Sequence, residues 1–247
     1  VDTGIANIAE FADRLRPGFT ALDDGNGTVD CHGHGTHVAS TAVGTSYGVA
    51  TVAIVVPVRV LDCSGEGSEI DVLAGLEYIA NYPLNGKRAV VNMSLGGSAS
   101  ETLDSAVARL VSFGIVIVVA AGNDTKPACE VSPAREPTAI TVGATSEVDA
   151  MASFSNFGSC VDVFAPGVGI KSAWIGAPSV TKTISGTSMA SPHVAGVVAQ
   201  YLSSPSPLTS PTSIAAVISQ GASAGKVSGN LAGAPNLLLC LTTCPAN

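Results

Sequence analysis

The sequence predicts an α/β fold with a mainly parallel central sheet and helices on both faces. Three observations carry that prediction. Strand-like and helix-like stretches alternate along the chain, the pattern of parallel strands joined by crossover helices. Residues 115–120 are apolar without a break, which suits a strand covered on both faces. Asp2, Ser94 and Asn123 each fall at the carboxyl end of an expected strand, where functional sites collect in such sheets.

Of 247 residues, 46% are apolar and 12% charged, enough to fill a sizeable core and too apolar for disorder. A net charge of −8 argues against nucleic acid and anionic membranes as partners. No apolar run approaches the roughly 20 residues of a membrane-spanning helix. No signal-peptide pattern is visible, which suits a mature secreted chain or a cytosolic one. The six cysteines form no Cys-x-x-Cys pair, which argues against zinc and thioredoxin-like chemistry. Their even number suits disulfides and an oxidising compartment. No repeat or linker divides the chain.

In order, residues 1–4 read as the end of a strand breaking into a turn, with Asp2 at the strand end. Residues 5–16 have helical spacing and stop at Pro17-Gly18. Residues 31–40 hold three of the four histidines, His32, His34 and His37. Residues 51–60 read as a β-branched strand interrupted by Pro57, and residues 68–80 as a helix. A strand over 89–95 precedes an amphipathic helix over 101–113 and the apolar strand 115–120. Two short strands follow at 138–143 and 161–164. Ser188 then opens a buried helix whose Pro192 falls in the first turn, where a missing N–H costs little. Residues 211–220 make the last helix.

Serine cleaves peptide bonds only with a base to take its proton, a group to orient that base, and donors for the oxyanion. Ser188, His34, Asp2 and Asn123 supply those types: an imidazole titrates near working pH, a carboxylate can fix its tautomer, and a carboxamide can donate. Each also has a plainer reading: a helix-capping serine, a turn aspartate, a turn asparagine. His34 and His37, with His32, Cys31 and Asp30 nearby, also suggest a zinc site, although no His-Glu-x-x-His is present.

Asp2-Thr3-Gly4, residues 33–39 (Gly-His-Gly-Thr-His-Val-Ala) and residues 186–196 (Gly-Thr-Ser-Met-Ala-Ser-Pro-His-Val-Ala-Gly) resemble the three signature blocks of subtilisin-like serine proteases. The order Asp, His, Ser is the subtilisin order. Residues 58–62, 92–97, 120–123 and 152–158 are similar to the proteinase K branch, especially its aqualysin-like members. The resemblance runs almost end to end. It implies a subtilisin-like three-layer fold and a single peptidase domain over residues 1–247 that lacks its N-terminal few dozen residues. It also implies a secreted serine endopeptidase with Asp2, His34 and Ser188 as triad and Asn123 as oxyanion donor. Gly65, Glu66 and Gly67, with Ser94, Leu95 and Gly96, would be edge strands that sandwich an extended substrate. The specificity pocket would lie between residues 94–96 and Ala120, Ala121 and Gly122, small apolar walls suited to aliphatic and aromatic side chains. A structural calcium ion would be held by the Pro137 and Ala139 carbonyls and the Asp162 carboxylate. The partners implied are protein and peptide substrates and a propeptide inhibitor, the chain itself being a monomer. Cysteine spacing alone leaves 15 pairings; the resemblance implies Cys31–Cys63 and Cys129–Cys160, with Cys240–Cys244 remaining.

Four features depart from the pattern. His32 stands where relatives commonly carry asparagine, and affects the adjoining subsite. Ser40 replaces a usual glycine and is expected to disturb the packing behind His34. Glu66 places a negative charge on the substrate strand. Only Val1 precedes Asp2. A catalytically silent fragment or binding module, and a metal-binding protein using the histidines, are the competing readings.

Overall fold

The computed structural model describes residues 1–177, 179–204 and 210–240, and the chain divides into two compact units. The first comprises residues 1–86 and 171–183. Here β1 (Phe19–Thr20) pairs in parallel with β2 (Val58–Arg59). The expected helix over 5–16 does not form; one 3-10 turn, Ala12–Arg14, stands in its place. Its backbone groups are engaged across the chain instead: the Ile5 N–H donates to the Thr28 carbonyl, Arg16 to Val55, and Val55 to Arg14. The strand expected over 51–60 shrinks to β2. Val52 is 84% exposed, and Pro57 has no N–H to offer a ladder.

Helix α1 (His34–Val43) starts after Gly33, whose φ of 107° suits glycine. Ser40 does not disturb it: the hydroxyl is buried, donates to Glu10 Oε1 and accepts from the Ala173 N–H. Helix α2 (Glu69–Ala80) opens with a Ser68–Asp71 capping box, as its sequence spacing predicts. The Cys31–Cys63 disulfide is present.

The second unit comprises residues 87–170 and 184–247. Its sheet contains β3 (Val90–Met93), β5 (Val116–Ala120), β7 (Ile140–Thr145) and β8 (Val163–Pro166), while β4 (Gly97–Ser98) and β6 (Val131–Ser132) form a separate antiparallel pair. A further pair joins β9 (Ile170–Ala173) to β10 (Thr181–Ile184). The sheet is completed by β11 (Ser223–Ala224) and β12 (Leu237–Leu238), giving the order β11-β12-β8-β7-β5-β3. Every pairing is parallel except β11 with β12, so the sheet is mainly parallel.

All five residues of β5 are buried. Successive strand side chains point to opposite faces, so both faces are covered. Three helices pack on it: α3 (Glu101–Ser112), α4 (Thr187–Ser203) and α5 (Pro211–Gly221). Helix α4 also reaches β3, β7 and β8. Because α4 begins at Thr187, Pro192 lies in its second turn, not the first. The missing Pro192 N–H would have bonded the Ser188 carbonyl. The Ser94 hydroxyl takes that place, donating to the Ser188 carbonyl at 2.9 Å. The Cys129–Cys160 disulfide is present. The expected Cys240–Cys244 bond involves Cys244, which lies outside the described residues.

Candidate active site

In the first unit, Asp2 is held by its own backbone. Its N–H donates to the Val58 carbonyl and its carbonyl accepts from the Val60 N–H, each at 3.0 Å. The side chain is buried, and Oδ1 accepts from the Thr3 N–H at 2.8 Å and from His34 Nδ1 at 2.7 Å. A carboxylate can only accept, so Nδ1 carries the hydrogen and Nε2 is the basic nitrogen of the neutral ring. Burial opposes the charge on Asp2, but the His34 imidazole and its hydrogen bond outweigh it and hold the carboxyl below its ordinary value. Burial likewise opposes the imidazolium and is the largest single effect, but the Asp2 charge, its hydrogen bond and the Asp30 charge together outweigh it, so His34 is raised.

Two glycines permit this approach. A Cβ on Gly35 would sit 2.2 Å from the Gly4 carbonyl oxygen and 3.1 Å from Asp2 Oδ1, and one on Gly33 would sit 2.3 Å from the Trp174 indole. The three neighbouring imidazoles diverge. His37 Nε2 faces the Lys182 carbonyl at 3.1 Å, and the His32 ring lies against Gly65. Among the described residues, the close grouping of metal-ligand types is Asp24, Cys31 and Cys63, whose two sulfurs are bonded to each other.

In the second unit, Ser188 is the second residue of α4, and its hydroxyl donates to the Ser94 carbonyl at 3.2 Å. Asn123 follows β5. Its Oδ1 accepts from the Thr187 N–H at 2.8 Å and the Thr187 hydroxyl at 2.9 Å. A backbone N–H only donates, so the atom facing it is the amide oxygen and Nδ2 is left as the outward donor. The Thr187 hydroxyl also accepts the Gly122 N–H at 3.1 Å, which commits its proton to Asn123. A cleft of about 350 Å³ brings Leu95, Gly96, Ala120, Gly122, Asn123 and Ser188 together. Ser94 and Ala121 are buried and do not line it. In the sequence only its adjacency to Ser188 marks Thr187 for this role.

Residues 65–67 form no strand. Gly65 has φ of 84°, and Asp62 Oδ1 accepts from the N–H groups of Ser64 and Glu66, which closes a turn. Residues 94–96 form no strand either and link β3 to β4. Asp162 precedes β8, and the Thr141 N–H donates to its Oδ2 at 2.8 Å. Burial pushes its carboxyl up to about 6. Pro137 and Ala139 precede β7.

The subtilase family model matches residues 1–234. An extracellular serine proteinase of Thermus sp. (strain Rt41A) is 50% identical over 240 residues, 97% of this chain and 58% of that protein. Alkaline serine exoprotease A of Vibrio alginolyticus is 50% identical over 243 residues, 98% of this chain and 45% of that protein. The crystal structure of a cold adapted subtilisin-like serine proteinase superimposes with a TM-score of 0.92 at 46% identity, covering 99% of this chain and 87% of that one. The chain spans about half the length of the curated relatives it matches. With these matches, the α/β fold is subtilisin-like, and the chain belongs to the subtilase family.

Proposed function

We propose that this chain is the peptidase domain of a secreted serine endopeptidase that hydrolyses peptide bonds through an acyl-enzyme. The observation that carries the reading is the 2.7 Å hydrogen bond between buried Asp2 and His34 Nδ1, because it leaves Nε2 as a base. Secretion is supported by relatives named extracellular and by the disulfides.

In this mechanism His34 Nε2 takes the Ser188 proton as Oγ attacks the substrate carbonyl carbon. Asp2 stabilises the imidazolium. The tetrahedral oxyanion accepts from Asn123 Nδ2 and the Ser188 backbone N–H. The imidazolium then protonates the leaving amine. Water enters, gives its proton to His34 and attacks the acyl carbon, and the second tetrahedral intermediate collapses to release Ser188. Substrate would lie extended along residues 94–96, gaining backbone hydrogen bonds from that segment. The walls formed by Leu95, Gly96 and Ala120 favour aliphatic and aromatic side chains, and Glu66 disfavours acidic substrates. A propeptide would occupy the same groove, and the peptidase would act as a monomer.

The donors at the calcium position fit a hard cation: two backbone carbonyls and a half-buried carboxylate whose burial disfavours its charge in the cation's absence. Pro137, Ala139 and Asp162 would hold the ion, which would fasten the starts of β7 and β8 and take no part in the chemistry.

The test is hydrolysis of peptide p-nitroanilides with aliphatic or aromatic P1 residues. Cleavage by the wild type, lost in Ser188→Ala and His34→Ala, supports the reading. A folded wild type that cleaves neither these nor casein would leave the silent fragment or binding module.

A further inference from the structure

A second buried carboxylate stands behind the Asp2–His34 pair. Asp30 is 4% exposed and has no cationic partner at hydrogen-bond distance among the described residues. Its Oδ1 accepts from the Thr3 hydroxyl at 2.9 Å, the His32 N–H at 2.9 Å and the Gly33 N–H at 2.7 Å. Its Oδ2 accepts from the Thr36 N–H at 2.8 Å and the Thr36 hydroxyl at 2.6 Å. Both hydroxyl protons are forced into this arrangement. Thr3 Oγ1 accepts the Gly35 N–H at 2.9 Å and Thr36 Oγ1 accepts the Ala6 N–H at 3.0 Å, so each hydroxyl gives its own proton to Asp30.

The geometry points to Asp30 as a positioning residue for the Asp2–His34 pair, one carboxylate that locks the segment bearing Asp2 to the helix start bearing His34. Thr3 adjoins Asp2, and Gly33, Gly35 and Thr36 flank His34. Five charge-assisted hydrogen bonds fix both segments through a single group. The Asp30 charge also favours the imidazolium, adding to the larger effect of Asp2. Arg59 also packs into this corner, its Nε donating to the Thr3 carbonyl and its guanidinium pairing with Asp24, and the Val1 amino group lies near enough to Asp2 to favour its charge.

The inference rests on His34 being the catalytic base of the proposed peptidase, so its test includes a readout that needs no activity. In Asp30→Asn the His34 ring titration followed by NMR is expected to move to lower pH, and kcat to fall about ten- to a hundredfold with KM within about twofold. The acid limb of the kcat/KM profile should move down with the NMR midpoint. Thr3→Val, which keeps the charge and removes one strut, should lower kcat while leaving the His34 midpoint in place, and it serves alone should Asp30→Asn not fold. An unchanged His34 midpoint and kcat in Asp30→Asn, or an unchanged kcat in Thr3→Val, would overturn the proposal. If the wild type proves inactive, the His34 Nδ1 proton resonance, which reports the hydrogen bond to Asp2, decides the positioning claim: it should shift in Thr3→Val, and an unchanged resonance would overturn the proposal.

Discussion

Removing the Cys31–Cys63 disulfide should cost stability and disturb His34, whereas removing Cys129–Cys160 should cost the same stability and leave His34 alone. The first bond closes 32 residues and the second 31. For loops of that length the chain-entropy model removes about 12 cal/mol/K from the unfolded chain, or about 3.7 kcal/mol at 25 °C for either bond. At this size that corresponds to a fall in Tm of about 7–15 °C. The two sites differ in their surroundings. Cys31 follows Asp30, and the Arg59 guanidinium lies 3.4 Å from Cys31 Sγ and 3.9 Å from Cys63 Sγ. Loosening that loop loosens the hydrogen bonds that Asp30 gathers from residues 32, 33 and 36. The assay is urea unfolding of the paired Cys→Ser variants in a Ser188→Ala background, which prevents self-digestion, with the His34 titration recorded on each. A stability loss below about 1 kcal/mol at Cys31–Cys63, or an equal displacement of the His34 titration in both variants, would refute the reasoning.

Four further outcomes are expected. Asn123→Ala should lower kcat about a hundred- to a thousandfold with little change in KM, a magnitude carried over from subtilisin itself. Steady-state kinetics on a peptide p-nitroanilide reads it, and a loss confined to KM contradicts it. Because Asp2 raises His34, kcat/KM should fall as pH drops through a midpoint above the ordinary imidazole value of about 6.5, and Asp2→Asn should move that midpoint down. The same pair links stability to pH. The Asp2 contribution is present above its unfolded value of about 3.9 and lost as pH falls through its lowered folded value. The His34 contribution is present below about 6.5 and lost as pH rises through its raised one. Circular dichroism melts across pH read both. Chelation of calcium with EGTA should lower Tm, and Asp162→Asn should abolish that response; an EGTA effect that survives the substitution places the ion elsewhere.

The parts legible in the sequence are those fixed by local chemistry or by complete burial. The run 115–120 reads as a doubly covered strand because no residue in it can tolerate water, and β5 is buried throughout. The start of α5 is announced by Ser210 and Pro211, which cap it. The glycines around His34 mark a close approach, and the structure fills it with Gly4, Asp2 and Trp174. What was not legible depends on partners distant in sequence. Residues 5–16 carry helical spacing, but the Ile5 and Arg16 N–H groups at its two ends find the carbonyls of Thr28 and Val55. Helix α4 starts earlier than Pro192 suggests because Ser94, far away in the chain, satisfies the Ser188 carbonyl. Thr187 looks like a spacer and Asp30 like the neighbour of a histidine cluster until their hydrogen bonds are traced, since nothing local in a threonine or an aspartate tells which carboxamide or loop it will hold. The resemblance implies an edge strand at residues 65–67, yet Asp62 curls them into a turn.

The central claim is that Ser188 is a nucleophile activated by His34. A fluorophosphonate probe on the folded chain, followed by tryptic mass mapping, tests it most directly. The expected result is a single adduct on Ser188 that disappears in His34→Ala and in Ser188→Ala. An unlabelled wild type that remains folded, or an adduct that persists in His34→Ala at the wild-type rate, would contradict the account.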